Sequence, residues 1–128
     1  MKALGTQLAV ELFDCDENLL NDNNLLERSL IEAATNAGAT VVDSVFHQFN
    51  PYGISGAVII AESHVAIHTW PEYRYAALDI FTCGNEADPD TIAGEVKAVL
   101  RAERMEVSRI LRGVTVGEQE RTYAQTPT

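Results

Sequence analysis

Apolar residues between positions 21 and 38 recur with the period of an α-helix. The residues that would share one face of this helix are Leu26, Leu30, Ala33 and Ala34. Asp22 or Asn24 can cap the start of the helix with a side-chain oxygen, and Gly38 can end it. The segment is therefore predicted to form an amphipathic helix.

A second helical pattern covers residues 88–102. Asp88 can act as its N-cap, and Pro89 fits the first turn, where a backbone N–H has no partner inside the helix. Its apolar stripe is formed by Ile92, Val96, Val99 and Leu100. Each of the two helices thus needs an apolar surface to pack against.

The remaining apolar segments are rich in β-branched and aromatic residues and predict strands. They cover residues 7–15, 40–49, 57–61, 64–70, 75–83 and 104–113. Residues 50–56 and 71–74 have turn chemistry, so the central strands are joined by short connections and pair antiparallel. The order β-α-β-β-β-β-α-β predicts an α/β fold of the α+β type, a two-layer sandwich with two helices on one face of an antiparallel sheet.

Residues 56–61, "GAVIIA", are apolar at every position, whereas a strand with one exposed face would alternate. We therefore expect the second face of the sheet to be covered as well, and another subunit is a simple way to cover it. Residues 1–116 are predicted to form a single domain. The polar segment 117–128 is expected to be a flexible tail.

Composition supports a globular protein and limits its partners. Hydrophobic residues make up 46% of the chain and charged residues 22%, which is ordinary for a domain with one core. The net charge of -10, with no basic cluster, makes nucleic acid and anionic membranes poor partners and favours a cationic small molecule. Two cysteines and a start without a signal-peptide pattern predict a cytoplasmic protein.

Two common kinds of site are disfavoured. His64 and His68 are four residues apart in a predicted strand, which places them about 13 Å from each other, too far to share one metal ion. No CxxC or HExxH motif is present, so no metal site is predicted. The "GISGA" segment holds Ser55 between glycines, but it is not GxSxG and joins strand to strand rather than strand to helix.

Four motifs, "PYGISG", "ESH", "IHTWPEY" and "YAALDIFTCG", resemble in this order the small prokaryotic form of S-adenosylmethionine decarboxylase, a pyruvoyl-dependent enzyme of spermidine synthesis. The similarity runs from about residue 2 to residue 102. It implies that the chain cuts itself between Glu62 and Ser63 into a beta chain, 1–62, and an alpha chain, 63–128. Ser63 would become the pyruvoyl group, so neither an external cofactor nor a metal is implied.

The resemblance also implies a role for several side chains. The pyruvoyl ketone from Ser63 would form a Schiff base with the amine of S-adenosylmethionine and withdraw electrons as CO2 leaves. By similarity, His68 and Ser55 assist the self-cleavage. Cys83 would donate the proton that replaces the lost carboxyl group, a task suited to a thiol.

Substrate recognition in the family implies a second set of residues. Glu72 would hold the ribose hydroxyls and Phe49 would stack on adenine, while Trp70 would also line the pocket. Arg74 stands where the family has the glycine of "PEYGYAA". If its side chain pointed into the pocket, this cation would repel a sulfonium substrate. A turn position favours solvent exposure instead. Replacing a glycine also raises the question of whether Arg74 adopts the backbone angles that glycine would allow.

A distance argument predicts that the site is shared between two chains. Ser63 and His68 are five residues apart, and in one strand they would lie about 16 Å from each other on opposite faces. They could then meet only in a dimer, with His68 of one chain near Ser63 of the other. The family is known for such interface sites between two sheets packed face to face, which would also cover "GAVIIA" and give two sites per homodimer.

Other interpretations stay open at this stage. Considered alone, each of these side chains has an ordinary structural explanation, and only the ordered set of motifs indicates catalysis. His64 and Cys15 are predicted to have structural roles only. A pyruvoyl-dependent arginine or ornithine decarboxylase would use the same self-cleavage, although Glu72 and Phe49 favour a nucleoside. The remaining alternative is an unprocessed regulatory homologue.

Overall fold

The computed structural model describes residues 3–84 and 87–114. It contains six strands and two helices in the predicted order, with two short 3₁₀ turns. The strands are β1 (Gly5–Phe13), β2 (Val41–Gln48), β3 (Ile54–Ile60), β4 (Ser63–Trp70), β5 (Tyr75–Cys83) and β6 (Arg104–Arg112); the helices are α1 (Asn23–Asn36) and α2 (Pro89–Leu100); the 3₁₀ turns are Leu19–Asn21 and Pro71–Tyr73. The tail predicted for residues 117–128 lies outside the described residues.

All strands join one sheet in the order β2-β3-β4-β5-β1-β6, and every neighbouring pair is antiparallel. Helix α1 contacts β2 and β3, and α2 contacts β5 and β1, so both helices lie on the same face. This confirms the two-layer α+β sandwich. Neither helix in the described part of the chain is long and apolar enough to cross a membrane.

The helix ends follow from the capping residues. The side chain of Asp22 accepts the N–H of Leu25 at the start of α1, and that of Asp88 accepts the N–H of Asp90 at the start of α2. The last turn of α2 closes when the N–H of Ala102 donates to the Lys97 carbonyl, with left-handed Arg101 between them. The second helix therefore ends before residue 102, where the apolar pattern alone had placed its end.

One predicted core position in α2 is wrong. Val99 is only partly buried, whereas Ala93 is buried beside Ile92, Val96 and Leu100. Ala93 lies one residue after Ile92 and three before Val96, so it falls on the same stripe of the helix. Its small side chain gave a weak hydrophobic signal, yet a small residue fits where α2 lies close to the sheet.

Strand β3 begins at Ile54, three residues earlier than its apolar run. Ile54 pairs with Gln48 and Ser55 pairs with His68, so these residues belong to the sheet rather than to the predicted turn. The real turn is compact because Gly53 has a positive φ of 107° and its carbonyl accepts the N–H of Phe49. Reading all of "NPYGISG" as turn chemistry was therefore wrong for its last three residues.

The two faces of the sheet have different surroundings. The helix side carries the buried core, which includes Leu8, Val10, Val58, Val65, Ile67, Leu78 and Ile80. The opposite side, called here the open face, has nothing packed on it in the described chain. Val45, Ile59 and Ile110 there are 67%, 43% and 46% exposed. The open face thus presents exposed apolar side chains, as "GAVIIA" suggested, and its covering by a second subunit stays a prediction.

Gly56 in β3 offers a test of packing on the helix side. A methyl group at Gly56 would overlap the ring of Phe46, its partner on β2. We expect Gly56→Ala to lower the free energy of unfolding by about 1–3 kcal/mol, the usual range for overpacking. Gly94→Ala is the control, because nothing lies within 4 Å of that new methyl and alanine is the better helix former, raising stability by up to about 1 kcal/mol. Urea unfolding measures both, and equal stabilities would contradict the packing argument.

Candidate active site

One group of predicted site residues surrounds a cavity at the end of β4. The cavity has a volume of about 240 Å³, and its lining includes Ser55, His68, Phe49, Trp70 and Glu72. Ser55 and His68 are direct partners in the β3–β4 ladder, and the Ser55 hydroxyl lies 2.8 Å from His68 Nδ1. The structure therefore brings together five of the side chains that the sequence singled out.

Buried Thr69 holds this cavity in shape. Its hydroxyl accepts the N–H of Ile54 at 3.0 Å and donates to the Leu20 carbonyl at 2.8 Å, which ties β3, β4 and the first 3₁₀ turn together. Asn21 in the same turn accepts the N–H of Gly53 at 3.0 Å. Thr69 was not predicted as a site residue, because a threonine in a strand has an ordinary structural explanation.

Glu72 lies in the 3₁₀ turn that follows β4 and borders two cavities. Besides the cavity near His68, it lines a neighbouring one of about 320 Å³ together with Glu17 and Tyr52. The two carboxylates make this neighbouring cavity acidic. A ligand with hydroxyl or cationic groups could reach Glu72 from either side.

The aromatic residues at this cavity are partly exposed rather than buried in the core. Phe49 is 48% exposed and lies edge-on to His47 with ring centroids 4.6 Å apart. Trp70 is 39% exposed and leans on Tyr75 at 5.3 Å. Burial and the hydrogen bond to Glu11 raise the pKa of Tyr75 to about 12, so that its hydroxyl stays a neutral donor. Exposed flat rings of this kind are available to stack on a ligand.

A second group of residues lies at the other end of β4. Ala61 and Glu62 form the two-residue loop between β3 and β4, and Ser63 begins β4. The Ser63 hydroxyl accepts the backbone N–H of Cys83 at 3.1 Å, and the Cys83 thiol donates to the Glu62 carbonyl at 3.0 Å. The peptide bond between Glu62 and Ser63 is therefore flanked by a hydroxyl and a thiol.

The backbone at Glu62 is strained. Its φ of 61° lies in the left-handed region, which costs a side-chain-bearing residue roughly 1–2 kcal/mol relative to the ordinary conformation. The strain falls on the residue whose carbonyl accepts the Cys83 thiol proton. Strained backbone of this kind is typical of functional sites, where the surrounding structure holds it in place.

The two groups remain apart within one chain. Strand β4 runs without a break from Ser63 to Trp70, with Val65 and Ile67 buried on the helix side and His68 exposed on the open face. Five residues of strand separate Ser63 from His68 by about 16 Å. The structure thus brings Ser63 to Cys83 and Ser55 to His68, but does not bring one pair to the other.

Arg74 is turned away from the cavity of Glu72. Its φ of 53° is the left-handed conformation that a glycine would adopt more readily, and its Nε donates to the Cys15 carbonyl at 2.8 Å. The backbone N–H of Cys15 in turn donates to the Arg74 carbonyl. The Arg74 side chain is therefore held at Cys15, in the segment that follows β1. This position agrees with the expectation that Arg74 points away from the pocket.

A third cavity adjoins the Glu62–Ser63 bond. It has a volume of about 420 Å³ and is lined by Gln7, Glu62, Ser63, His64, Phe81 and Arg112. Arg112 donates to the Gln7 side-chain oxygen at 2.7 Å, and His64 stacks on Phe81 with centroids 5.9 Å apart. Gln7 and Arg112 were not predicted as site residues, since both belong to strands and neither is part of a motif.

Among residues 3–84 and 87–114, no cluster of three or more histidine, cysteine, aspartate or glutamate side chains is arranged to hold a metal ion. His64 and His68 are both exposed on β4, and they pair with different residues of the neighbouring strands.

The two cysteines should differ in reactivity toward an alkylating reagent. Cys15 is fully buried, and this burial raises its pKa to about 11 despite the nearby Arg74 charge, so the reactive thiolate is scarce near pH 8. Cys83 is only partly buried. We expect iodoacetamide at about pH 8 to modify Cys83 in the native protein and to spare Cys15, as read by peptide mass spectrometry, with Cys83→Ala as control. Equal rates at the two thiols would contradict this.

Known proteins are similar in sequence to this chain over most of its length. A family model described as S-adenosylmethionine decarboxylase matches residues 6–113. The match extends beyond residue 102, the predicted end of the similarity, and includes β6. The S-adenosylmethionine decarboxylase proenzymes of Thermosipho melanesiensis and Thermosipho africanus are 49% and 50% identical over 113 residues, which are 88% of this chain and 87% of each relative.

A solved structure shares the fold. The crystal structure of the adenosylmethionine decarboxylase from Aquifex aeolicus superposes with a TM-score of 0.81 at 30% identity, covering 89% of this chain and 94% of that one. The matching family model, the high identity over nearly the whole chain and the shared fold agree with one another. The chain belongs to the S-adenosylmethionine decarboxylase family.

Proposed function

We propose that the chain is a proenzyme that cleaves its own Glu62–Ser63 bond and then decarboxylates S-adenosylmethionine. The observation that carries this proposal is the Ser63 hydroxyl beside a strained Glu62 carbonyl that already accepts the Cys83 thiol. Family membership and the proenzyme names of its relatives support both steps. The product of the reaction would be the aminopropyl donor for spermidine synthesis.

Self-cleavage begins at the Ser63 side chain. The hydroxyl attacks the Glu62 carbonyl carbon, the peptide C–N bond breaks, and the nitrogen of residue 63 takes up the proton, which leaves an ester in the backbone. The Cys83 thiol, 3.0 Å from the Glu62 oxygen, can stabilise the charge that develops there. The left-handed strain at Glu62 would favour the change, because cleavage of the backbone releases it.

The pyruvoyl group that remains at residue 63 would supply an electron sink for the carbanion left by CO2. The residues around Ser63 fit such a group, because the backbone N–H of Cys83, 3.1 Å from Ser63 Oγ, is a hydrogen-bond donor beside residue 63, where the ketone would form. Cys83 itself is proposed as the proton donor to the substrate's α-carbon. Its thiol lies at the same end of β4 as Ser63 and is partly exposed.

The cavity at the other end of β4 is suited to the nucleoside part of the substrate. Phe49 and Trp70 offer partly exposed rings for adenine, and the Glu72 carboxylate can accept two ribose hydroxyls. The net charge of -10 favours a sulfonium cation, and Arg74 is held at the Cys15 carbonyl. Aromatic stacking partners favour S-adenosylmethionine over arginine or ornithine, which have no ring to stack.

We propose a homodimer that completes two sites by packing the open faces of two sheets together. A separation of about 16 Å keeps Ser63 and His68 of one chain apart, while a two-fold axis can bring Ser63 to His68 of the partner subunit. The exposed apolar side chains of Val45, Ile59 and Ile110 on the open face offer surface for this contact. Ser55 and His68 of the partner subunit would then transfer protons during cleavage of the Glu62–Ser63 bond.

Replacing Ser63 tests the proposed activity. Intact-mass measurement should find the wild-type chain as two fragments, one ending at Glu62 and one beginning with a pyruvoyl group, and Ser63→Ala should leave one whole chain without decarboxylase activity. Ser44→Ala, which loses only the hydrogen bond to Glu27, should behave as wild type. The processed protein should release CO2 from S-adenosylmethionine but not from arginine or ornithine. An intact wild-type chain would refute the proposal.

Mixing two inactive variants tests the shared site. A dimer of Ser63→Ala with His68→Ala has one complete site, made by Ser63 of one chain and His68 of the other. Co-expression should therefore restore cleavage of the His68→Ala chain alone, in about a quarter of all chains if pairing is random. Tags of different mass identify the chain that is cut. Failure of the mixture to cleave beyond the level of each variant alone would contradict a site between subunits.

A further inference from the structure

Arg112 is the feature of this molecule that the proposed function leaves without a role. It is the one lysine or arginine among the residues that line the cavity beside the Glu62–Ser63 bond. Its Nη1 donates to the Gln7 side-chain oxygen at 2.7 Å, which orients the guanidinium from the neighbouring strand. This guanidinium therefore faces the same cavity as the bond that is to be broken, with two strands of the sheet between them.

The strand register explains how Arg112 comes near this bond. Gly5 of β1 pairs with Cys83 on one side and with Arg112 on the other, so the three lie in one row across the sheet. A side chain at Gly5 would overlap the ring of Phe81, which fills this gap and forms part of the cavity wall. The Phe81 ring thus occupies the space above Gly5, and Arg112 and Ser63 line the same cavity of about 420 Å³ with it.

Self-cleavage changes the charge in this space. The Glu62–Ser63 peptide bond is neutral before the reaction, whereas afterwards Glu62 ends in an α-carboxylate and residue 63 carries a ketone instead of an ammonium group. The cavity therefore gains one negative charge that no new positive charge offsets. The Glu62 side chain is a carboxylate as well, so two like charges would sit on one residue.

We propose that Arg112, oriented by Gln7, receives the carboxylate that self-cleavage creates on Glu62, and so accelerates the step that releases it. This inference rests on the proposed self-cleavage. Guanidinium groups match carboxylates in geometry and bind them through two parallel hydrogen bonds. Arg112 is thus assigned to the processing reaction.

The step concerned is the opening of the ester. A base removes the α-proton of residue 63, and the electron pair forms a double bond between Cα and Cβ. The bond between Cβ and Oγ breaks, and its electron pair leaves with the oxygen as part of the Glu62 carboxylate. The enamine left at residue 63 tautomerises to an imine, and water hydrolyses the imine to the ketone and releases ammonia, so no external oxidant or reductant takes part. Negative charge develops on the leaving group, so a nearby guanidinium stabilises this transition state more than it stabilises the neutral ester.

Pairing with the new chain end also explains why an arginine is tolerated in the cavity that contains residue 63. A free guanidinium that held the substrate's own carboxylate would stabilise the ground state and slow its loss as CO2. After self-cleavage, the positive charge of Arg112 is engaged by Glu62. The processing role and the decarboxylation role of this space therefore do not conflict.

The test separates the two steps of self-cleavage. Arg112→Gln should slow the appearance of the two fragments about 10- to 100-fold, the loss expected for a charge-assisted contact, and should accumulate the ester. Hydroxylamine detects the ester, because it cuts the chain to leave a hydroxamate on Glu62 and an unaltered serine at residue 63. Arg112→Lys should recover part of the rate, and Gln7→Ala should slow the same step less.

Arg109→Gln is the matched control. Arg109 lies on the same strand and loses the same charge, but its side chain is paired with Asp90 at 2.6 Å. This variant should process at the wild-type rate without an ester. Intact mass gives the fraction of Arg112→Gln chains that have finished processing. Expressed per processed chain, kcat and KM should stay within about threefold of wild type, because the variant loses no charge-assisted contact to the substrate.

Three results would overturn the assignment. The first is that Arg112→Gln processes at the wild-type rate. The second is that it processes slowly but accumulates no hydroxylamine-sensitive ester. The third is that it processes normally with a raised KM, which would indicate that Arg112 binds the substrate's carboxylate. Absence of processing in the wild-type chain would instead refute the proposed function itself. If Arg112→Gln fails to fold, Arg112→Lys and Gln7→Ala decide by the same ester measurement.

Discussion

The organisation of this molecule depends on the geometry of one strand. In β4, side chains alternate between the two faces and each residue advances the chain by about 3.3 Å. Ser63 and His68, five residues apart, are therefore held about 16 Å from each other at the two ends of the strand. No rotamer change brings them together, so a reaction that needs both must recruit a second copy of the sheet.

The rest of the fold supports the two ends of this strand separately. At one end, Thr69 ties β3 and β4 to the 3₁₀ turn near Leu20, which shapes the cavity of Phe49 and Glu72. At the other end, hydrogen bonds from Cys83 hold the tight loop that carries Glu62. The end at Glu62 has strained backbone, and the end at Glu72 borders an open cavity. The middle of β4 is held by Val65 and Ile67, which are buried in the core.

Much of the fold could be predicted from the sequence because the amphipathic patterns were strong. Strand β5 matches its predicted range, Tyr75–Cys83, and Asp22 and Asp88 cap the helices as expected. The misses occurred where the local signal and the tertiary contacts disagree. Glycine and serine gave residues 54–56 the composition of a turn, yet pairing with β2 and β4 makes them strand.

The candidate site was predicted from ordered motifs rather than from spacing alone. Motifs identified Ser63, His68 and Cys83, and the strand period predicted that Ser63 and His68 would not meet in one chain. Arg112 and Gln7 could not be found in this way. Their approach to Glu62 depends on the strand order β5-β1-β6, which places Arg112 next to Gly5 across more than a hundred residues of sequence.

The same strand order has a consequence for the fate of the two fragments. A cut after Glu62 assigns β1, β2 and β3 to one piece and β4, β5 and β6 to the other, but β1 lies between β5 and β6. The strands of the two pieces are therefore interleaved within one sheet. Their separation would require three ladders to open at once, β3–β4, β5–β1 and β1–β6, so the severed polypeptide would remain one cooperative unit even though its covalent continuity is gone.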